Sequence, residues 1–345
     1  MPLPDTAREV FVDAVENSVV PGGVAARVAA DGHLDVACAG VTRENGPDVS
    51  RATRYDLASL TKVVATLPCV LRLVNDGELA LQDRVGRFFA NAGWFQTPSL
   101  ADATVLELLT HTSGLRNWEP LFARVSRRST ALAAVLQAPV REVGSVRYTD
   151  FGFMLLGAIV ERVTRQRLDA VAQKLVFAPL GMRRTGFGPI GSDDVAATEN
   201  CGWRGRLLVG EVHDENASVW DGVAGHAGLF GDVADLGRYA AAWLRSDPVL
   251  ASPELLATAT APYARGDDGS VRGLGWLLPS AGVFAGDGLR GVGHTGFTGT
   301  SLWLDPEAGV GSILLTNRVH PHRARGEGIH ALRRGFHAAV HGSAP

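Results

Sequence analysis

Apolar residues recur at helical spacing at the start of the chain, at Ala7, Val10, Phe11, Ala14 and Val15, and predict an amphipathic helix from Asp5 to Val19. The period then shortens to two. Gly23 to Ala30 and Leu34 to Gly40 read as strands around the turn signal Asp31-Gly32-His33, which predicts a hairpin. A polar loop from Thr42 to Arg54 leads into an apolar run that begins near Asp56 and reads as a buried helix, stopped by Asn75-Asp76-Gly77. Pro68 inside that run predicts a kink or a break, because proline has no N–H to give to the preceding turn.

The centre of the chain is patterned for helices. Thr104 to Thr110 carries a capping signal, Thr104 with Glu107 three residues on, and Leu121 to Leu136, Phe151 to Val163 and Leu168 to Phe177 continue the helical period. From about Gly202 strand and loop signals return. Leu274 to Leu278, Leu289 to Gly293, Thr300 to Leu304 and Val310 to Thr316 read as strands, the last two joined by the turn at Asp305 to Gly309, and a final helix is predicted from Gly326 to Val340. The glycine-rich stretch Gly222 to Gly228 lacks the spacing of a phosphate loop and predicts backbone passing close to a neighbour. Strands, then helices, then strands give an α+β fold: a largely antiparallel central sheet flanked by helices, with a mostly helical domain inserted. The expected division is 1–75, 76–204 and 205–345, the first and last parts sharing the sheet.

Composition narrows the function. The chain has 345 residues, 46% of them hydrophobic, and a formal net charge of -3, so no polycationic surface is available for nucleic acid. No run reaches the ~18 apolar residues a membrane span needs, and the opening residues lack the basic and apolar regions of a secretion signal, which predicts a cytoplasmic protein with no membrane partner. Cys38, Cys69 and Cys201 are odd in number and show no ligand spacing; all three are expected to be buried, small apolar residues in a reducing compartment.

One tetrapeptide stands out from this background. Lys62 is the only charged residue between Asp56 and Arg72, and of 33 Lys plus Arg only Lys62 and Lys174 are lysine. A lysine can lose its proton in apolar surroundings, whereas an arginine stays charged. Ser59 lies three residues earlier, on the same helical face, so a nucleophile and a base share one space. The same residues fit a helix cap beside a lysine whose stem packs on the core. Two more motifs add weight. Tyr148-Thr149-Asp150 precedes the apolar helix from Phe151, and His294-Thr295-Gly296 falls between two strand signals.

In this order and spacing, the three motifs resemble the serine β-lactamase and penicillin-binding-protein superfamily, in the branch of class C β-lactamases, DD-peptidases and family VIII esterases. Leu108 to Leu115, Gly222 to Phe230 and Thr316-Asn317-Arg318 extend the resemblance over nearly the whole chain. The resemblance implies Ser59 as nucleophile, Lys62 as the group that accepts or relays its proton, and Tyr148 as partner in acid and base duties. It also implies an oxyanion hole from the backbone amides of Ser59 and Phe297, with Asp150, His294, Thr295 and Gly296 around the substrate. The expected activity is a serine hydrolase acting through an acyl-enzyme on an ester, amide or β-lactam, in a small molecule or short peptide. An acyltransferase and a non-catalytic ligand-binding homologue are the alternatives.

Two departures from the family pattern carry consequences. Asp150 stands where Asn is common; as a carboxylate it favours a charged Lys62 and shifts base duty toward Tyr148, unless it caps the following helix. His294 replaces the lysine of Lys-Thr-Gly and, near its ordinary pKa of ~6.5, anchors a carboxylate less firmly. His213-Asp214-Glu215-Asn216 and His226 match no zinc spacing, so no metal or other cofactor is expected and these residues are read as ordering a loop beside the site.

Overall fold

The computed structural model describes residues 2–89, 98–191, 193–280, 289–324 and 328–342. Its frame is an antiparallel sheet of eight strands among the described residues, in the spatial order Leu34–Gly40, Gly22–Ala29, Val310–Thr316, Ser301–Asp305, Val292–Thr295, Leu277–Leu278, Val271–Arg272 and Ala264–Arg265. The N-terminal hairpin therefore joins the C-terminal strands, with Ala25 opposite Leu314 and Ala26 opposite Ile313. Alternate residues of Gly22–Ala29 face two apolar layers, which is why the strand is buried along nearly its whole length. On one side Ala25 and Leu314 pack with Phe11 and Phe336 of the first and last helices. On the other, Val24, Ala26, Ile313 and Leu315 join the large core shared with the central helices.

The helices follow from their caps. Asp5–Glu16 ends three residues short of expectation because Asn17 closes it and Ser18 turns left-handed at φ 57°. Val105–Leu109 has the full capping box of Thr104 and Glu107. The expected helix over Leu121 to Leu136 is split into a single turn, Leu121–Ala123, and a helix, Arg128–Leu136, while the Phe122 amide donates to Asn216 Oδ1 at 3.2 Å. Strand and loop were expected after Gly202, but Val233–Leu244 and Pro253–Thr260 are helices, capped by the side chains of Asp232 and Ser252. The strand expected over Leu289 to Gly293 lies instead at Val292–Thr295, because Gly291 turns the chain at φ 92°. The C-terminal helix is Ile329–His341; the expected start at 326 lies outside the described residues.

Pro68 neither kinks nor breaks its helix in the ordinary sense. Lys62–Thr66 is a π-turn continuous with the helix Leu67–Asn75, and the Leu67 N–H reaches back five residues to the Lys62 carbonyl. At the next step Pro68 has no N–H to offer Val63, and the buried Tyr239 hydroxyl donates to the Val63 carbonyl in its place. Cys69 and Cys201 are buried as expected, but Cys38 is exposed, since it sits on an edge strand where alternation turns Ala37 inward and Cys38 out.

Candidate active site

Ser59 lies in the turn just before the helical segment that continues into the π-turn Lys62–Thr66. Just before it Ala58 adopts φ 46°, a left-handed conformation that costs a residue with a side chain some strain, and Asp56 Oδ1 accepts the Ala58 amide at 2.8 Å. The same carboxylate holds the His213 amide through Oδ2 at 2.6 Å. The segment is clamped from two directions. Leu57 N–H donates to Leu229 O at 2.9 Å, while the hydroxyls of Thr298 and Thr300 donate to the carbonyls of Asp56 and Leu57 at 2.7 and 3.1 Å. The serine is thus fixed against the third motif before any substrate arrives.

Lys62 has no exposed side-chain surface. Its ammonium donates to Ser59 Oγ at 3.1 Å, to Tyr148 OH at 2.8 Å and to Asp150 Oδ1 at 2.6 Å. Burial alone would push the lysine pKa down, but the charge of Asp150 and the contacts with Tyr148 outweigh it, and Lys62 is held above its ordinary value. Asp150 is not the cap of its helix. Thr149 Oγ1 accepts the Gly152 amide instead, and Asp150 occupies the first turn of Asp150–Thr164 with its carboxylate free for Lys62. Tyr148 is set by the residues beside it: the Thr149 amide donates to His111 Nδ1 at 3.1 Å, and the His111 ring lies 4.8 Å from that of Tyr148.

His294 and Thr295 end the strand Val292–Thr295, and Gly296 begins the turn after it. A side chain at Gly296 would overlap Thr300 Oγ1 and the Leu57 carbonyl, so this position needs the glycine to let the two motifs touch. The N–H groups of Ser59 and Phe297 both belong to residues lining the cavity, and neither donates to a protein acceptor among the described residues. Burial, reinforced by the charges of Lys62 and Arg272, pushes His294 well below the ordinary histidine range. Its Nδ1–H donates to Thr295 O at 2.8 Å, which leaves Nε2 as a bare acceptor without a protein partner among the described residues.

The residues from His213 to His226 form two pairs. His213 meets Glu199 at 2.9 Å, and His226 Nε2 meets Asp214 Oδ1 at 3.0 Å. Burial would raise Asp214, but His226 and the Ala217 amide hold it far below the usual carboxylate range. Glu215 is bound by Arg323, which also grips Glu199. Ligand atoms of Asp150, Asp214 and His226 lie within 4.8 Å of one another, a spacing that a cation could use. The Lys62 ammonium, 2.6 Å from Asp150, already supplies positive charge at that point.

These groups converge on a cavity of about 660 Å³, lined among others by Ser59, Tyr148, Asp150, His294, Phe297 and Arg272. The β-lactamase family pattern matches residues 8–335. The chain belongs to the β-lactamase family. As a member of it, the protein is a serine hydrolase. It is 30% identical over 310 residues, 78% of this chain and 70% of the relative, to a protein of Salmonella schwarzengrund named "Putative D-alanyl-D-alanine carboxypeptidase". Its fold is similar to that of an octameric penicillin-binding protein homologue from Pyrococcus abyssi, with a TM-score of 0.74 at 24% identity over 94% of this chain and 75% of that one. It is similar as well to EstCE1, described as a hydrolase with promiscuous acyltransferase activity, with a TM-score of 0.75 at 20% identity over 98% of each chain.

Several residues of this β-lactamase-family cavity carry no signal in the sequence. Arg272, Arg323 and Arg333 line it, yet nothing separates them from the many other arginines of the chain, whereas Arg318, which also lines it, was marked by Thr316-Asn317-Arg318. His111 could have been found from its place in the Leu108 to Leu115 segment, where it takes φ 60° before a turn. No helix among the described residues is long and apolar enough to cross a membrane.

Proposed function

We propose that Ser59 attacks the carbonyl carbon of an ester, amide or β-lactam and carries the acyl group on its Oγ. The observation behind this reading is one ammonium, that of Lys62, bonded at once to Ser59 Oγ and Tyr148 OH at 3.1 and 2.8 Å. Held above its ordinary value, Lys62 keeps its protons and acts as a fixed charge rather than as the base. As the Oγ–carbon bond forms, the Ser59 proton passes to the Tyr148 oxygen, and the Tyr148 proton passes to the departing nitrogen or oxygen. The same relay, run with water in place of the leaving group, breaks the acyl ester and restores Ser59. The amides of Ser59 and Phe297 receive the carbonyl oxygen, each such donor contributing ~3 kcal/mol in the transition state.

The substrate in this reading is a small molecule or short peptide. Trp118 and Phe297, 43% and 51% exposed beside the cavity, suit an apolar acyl group. The name of the Salmonella relative brings in a D-alanyl peptide as acyl donor, and that of EstCE1 an acyl transfer in which an alcohol or amine replaces water.

Intact-mass measurement after mixing with a penicillin, an activated short-chain ester and a D-alanyl-D-alanine peptide tests the reading. An adduct in the parent and none in Ser59→Ala is the expected result, and the donor that leaves it names the substrate class. Tyr148→Phe lowers turnover by at least ~100-fold. Equal labelling or turnover by Ser59→Ala removes Ser59 from the mechanism.

A further inference from the structure

Arg333 stands on the second turn of the C-terminal helix Ile329–His341 and is only 4% exposed. One of its guanidinium nitrogens donates to two carbonyls, Gly296 O at 2.6 Å and Thr300 O at 2.9 Å, at the two ends of the turn that follows the third motif. The turn is also drawn shut by its own backbone, with Gly296 N–H on Thr300 O at 2.7 Å and Gly299 N–H on Gly296 O at 3.1 Å. One turn further along the helix His337 meets Ser301 Oγ at 2.8 Å and Ser312 Oγ at 2.6 Å, which pins the helix to the sheet. Among the described residues no carboxylate pairs with Arg333 and its Nε has no acceptor, while burial and the charge of Arg318 push it below the ordinary arginine range. A desolvated charge held on backbone carbonyls is costly, whereas closing a turn needs only a neutral donor.

The Gly296 carbonyl and the Phe297 N–H belong to one trans peptide group, planar, with the two bonds pointing in opposite directions. We infer that Arg333 is a positioning residue for the oxyanion hole: by holding the Gly296 carbonyl it aims the Phe297 N–H at the reacting oxygen, and its charge strengthens that N–H as a donor. The inference rests on the serine-hydrolase reading above, in which this amide receives the carbonyl oxygen. A cation at the carbonyl draws electron density through the amide resonance and leaves the N–H more positive. With ordinary lengths for the peptide group and for an N–H···O bond, the guanidinium nitrogen and the oxyanion lie about 7 Å apart across that peptide. In a site with little water a charge at this distance acts on the transition state, where the oxygen is negative, and far less on the substrate, whose carbonyl is neutral. Arg318 holds the other side of the same residue, its Nε donating to Phe297 O at 3.0 Å, so both peptide groups of Phe297 are fixed by guanidinium contacts.

The test uses an uncharged activated ester of a short acyl group, so that no charge on the substrate enters the readout, and an alkylboronic acid of the same length. The boron accepts an electron pair from Ser59 Oγ, whose proton leaves to water, and the adduct is a tetrahedral anion that mimics the transition state. In Arg333→Gln, which can still donate a hydrogen bond but carries no charge, kcat and kcat/KM fall together by roughly 30-fold with KM nearly unchanged. The Kd of the boronic acid rises by a similar factor, a match that a merely structural loss would not give. Arg333→Lys, which keeps the charge, recovers most of both. Thermal melts beside the kinetics show which variants are folded, and if Arg333→Gln is not, Arg333→Lys carries the test through the same match between its smaller losses in kcat/KM and in boronic acid affinity. An unchanged kcat in folded Arg333→Gln, equal losses in the Gln and Lys variants, or a rise in KM alone overturns the inference, while turnover by the parent and none by Ser59→Ala leaves the hydrolase mechanism standing. If the parent neither hydrolyses the ester nor binds the boronic acid, the mechanism and the inference fall together.

Discussion

The Asp150 carboxylate lies 2.6 Å from the ammonium of Lys62, a lysine with no exposed side-chain surface. The pair decides what the lysine does. Its folded pKa is raised, so its contribution to stability is complete below the ordinary lysine value of 10.5 and is lost only as pH climbs through the raised one.

Asp150→Asn removes that support and leaves burial to depress the ammonium. If Lys62 serves as a charge, the alkaline limb of the kcat profile moves down by at least about one pH unit. The variant should also be less stable at pH 7 by about 3 kcal/mol, as expected when a buried pair loses one partner. Denaturant titrations together with a pH–rate profile check both; an unshifted alkaline limb would mean that the charge of Lys62 is not needed for turnover.

Gly296 is where the third motif touches the serine segment. In Gly296→Ala the new methyl group would overlap Thr300 Oγ1 and the Leu57 carbonyl, forcing the Phe297 amide away from Ser59. Loss of one oxyanion donor lowers kcat by roughly 100-fold or more with little change in KM. A thermal melt run beside the kinetics separates this from simple unfolding, because the kcat loss should persist at temperatures where the variant is still folded.

Part of this site was legible before any coordinates. The three-residue spacing put Ser59 and Lys62 on one face, and the polar start of an apolar helix marked Asp150. The sheet followed from period-two runs and a short turn between strands. The helix Val233–Leu244 was missed although Asp232 and Asp235 signal its start, because the glycines just before it suggested loop. Arg272 could not be chosen in advance: its place over the Tyr148 ring is set across the fold, and such contacts are not written in local pattern. The contact of Tyr239 with Val63, 176 residues away, is hidden for the same reason.

His111, His294 and His337 are each buried, and burial pushes all three well below the ordinary value of 6.5. Well above pH 6.5 both folded and unfolded chains carry them neutral, and they add little to the pH dependence. As pH falls below 6.5 the unfolded chain takes up protons that the folded one refuses, so stability is lost, each group adding a slope of up to ~1.4 kcal/mol per pH unit. Urea titrations at pH 8.5, 7.5 and 5.5 should give a midpoint that is flat between the first two and drops at the third. His294→Gln should lessen the drop. A midpoint that rises on acidification would contradict the neutral assignment.

Tyr239 and Pro68 make a pair that a double-mutant cycle can isolate. The Tyr239 hydroxyl satisfies the Val63 carbonyl that Pro68, lacking an N–H, cannot reach. Tyr239→Phe leaves that carbonyl buried and unpaired, at about 1–3 kcal/mol. Pro68→Ala restores an N–H at the same point of the turn, so in the Tyr239→Phe background it should recover much of the loss, whereas in the parent it gains less. The coupling matters to function because the π-turn carries Lys62 at its first position. If the carbonyl is what binds the two residues, the effects on stability are strongly non-additive, and the doubly substituted protein regains turnover along with stability; strictly additive effects would break the link between Tyr239 and the turn that holds the lysine.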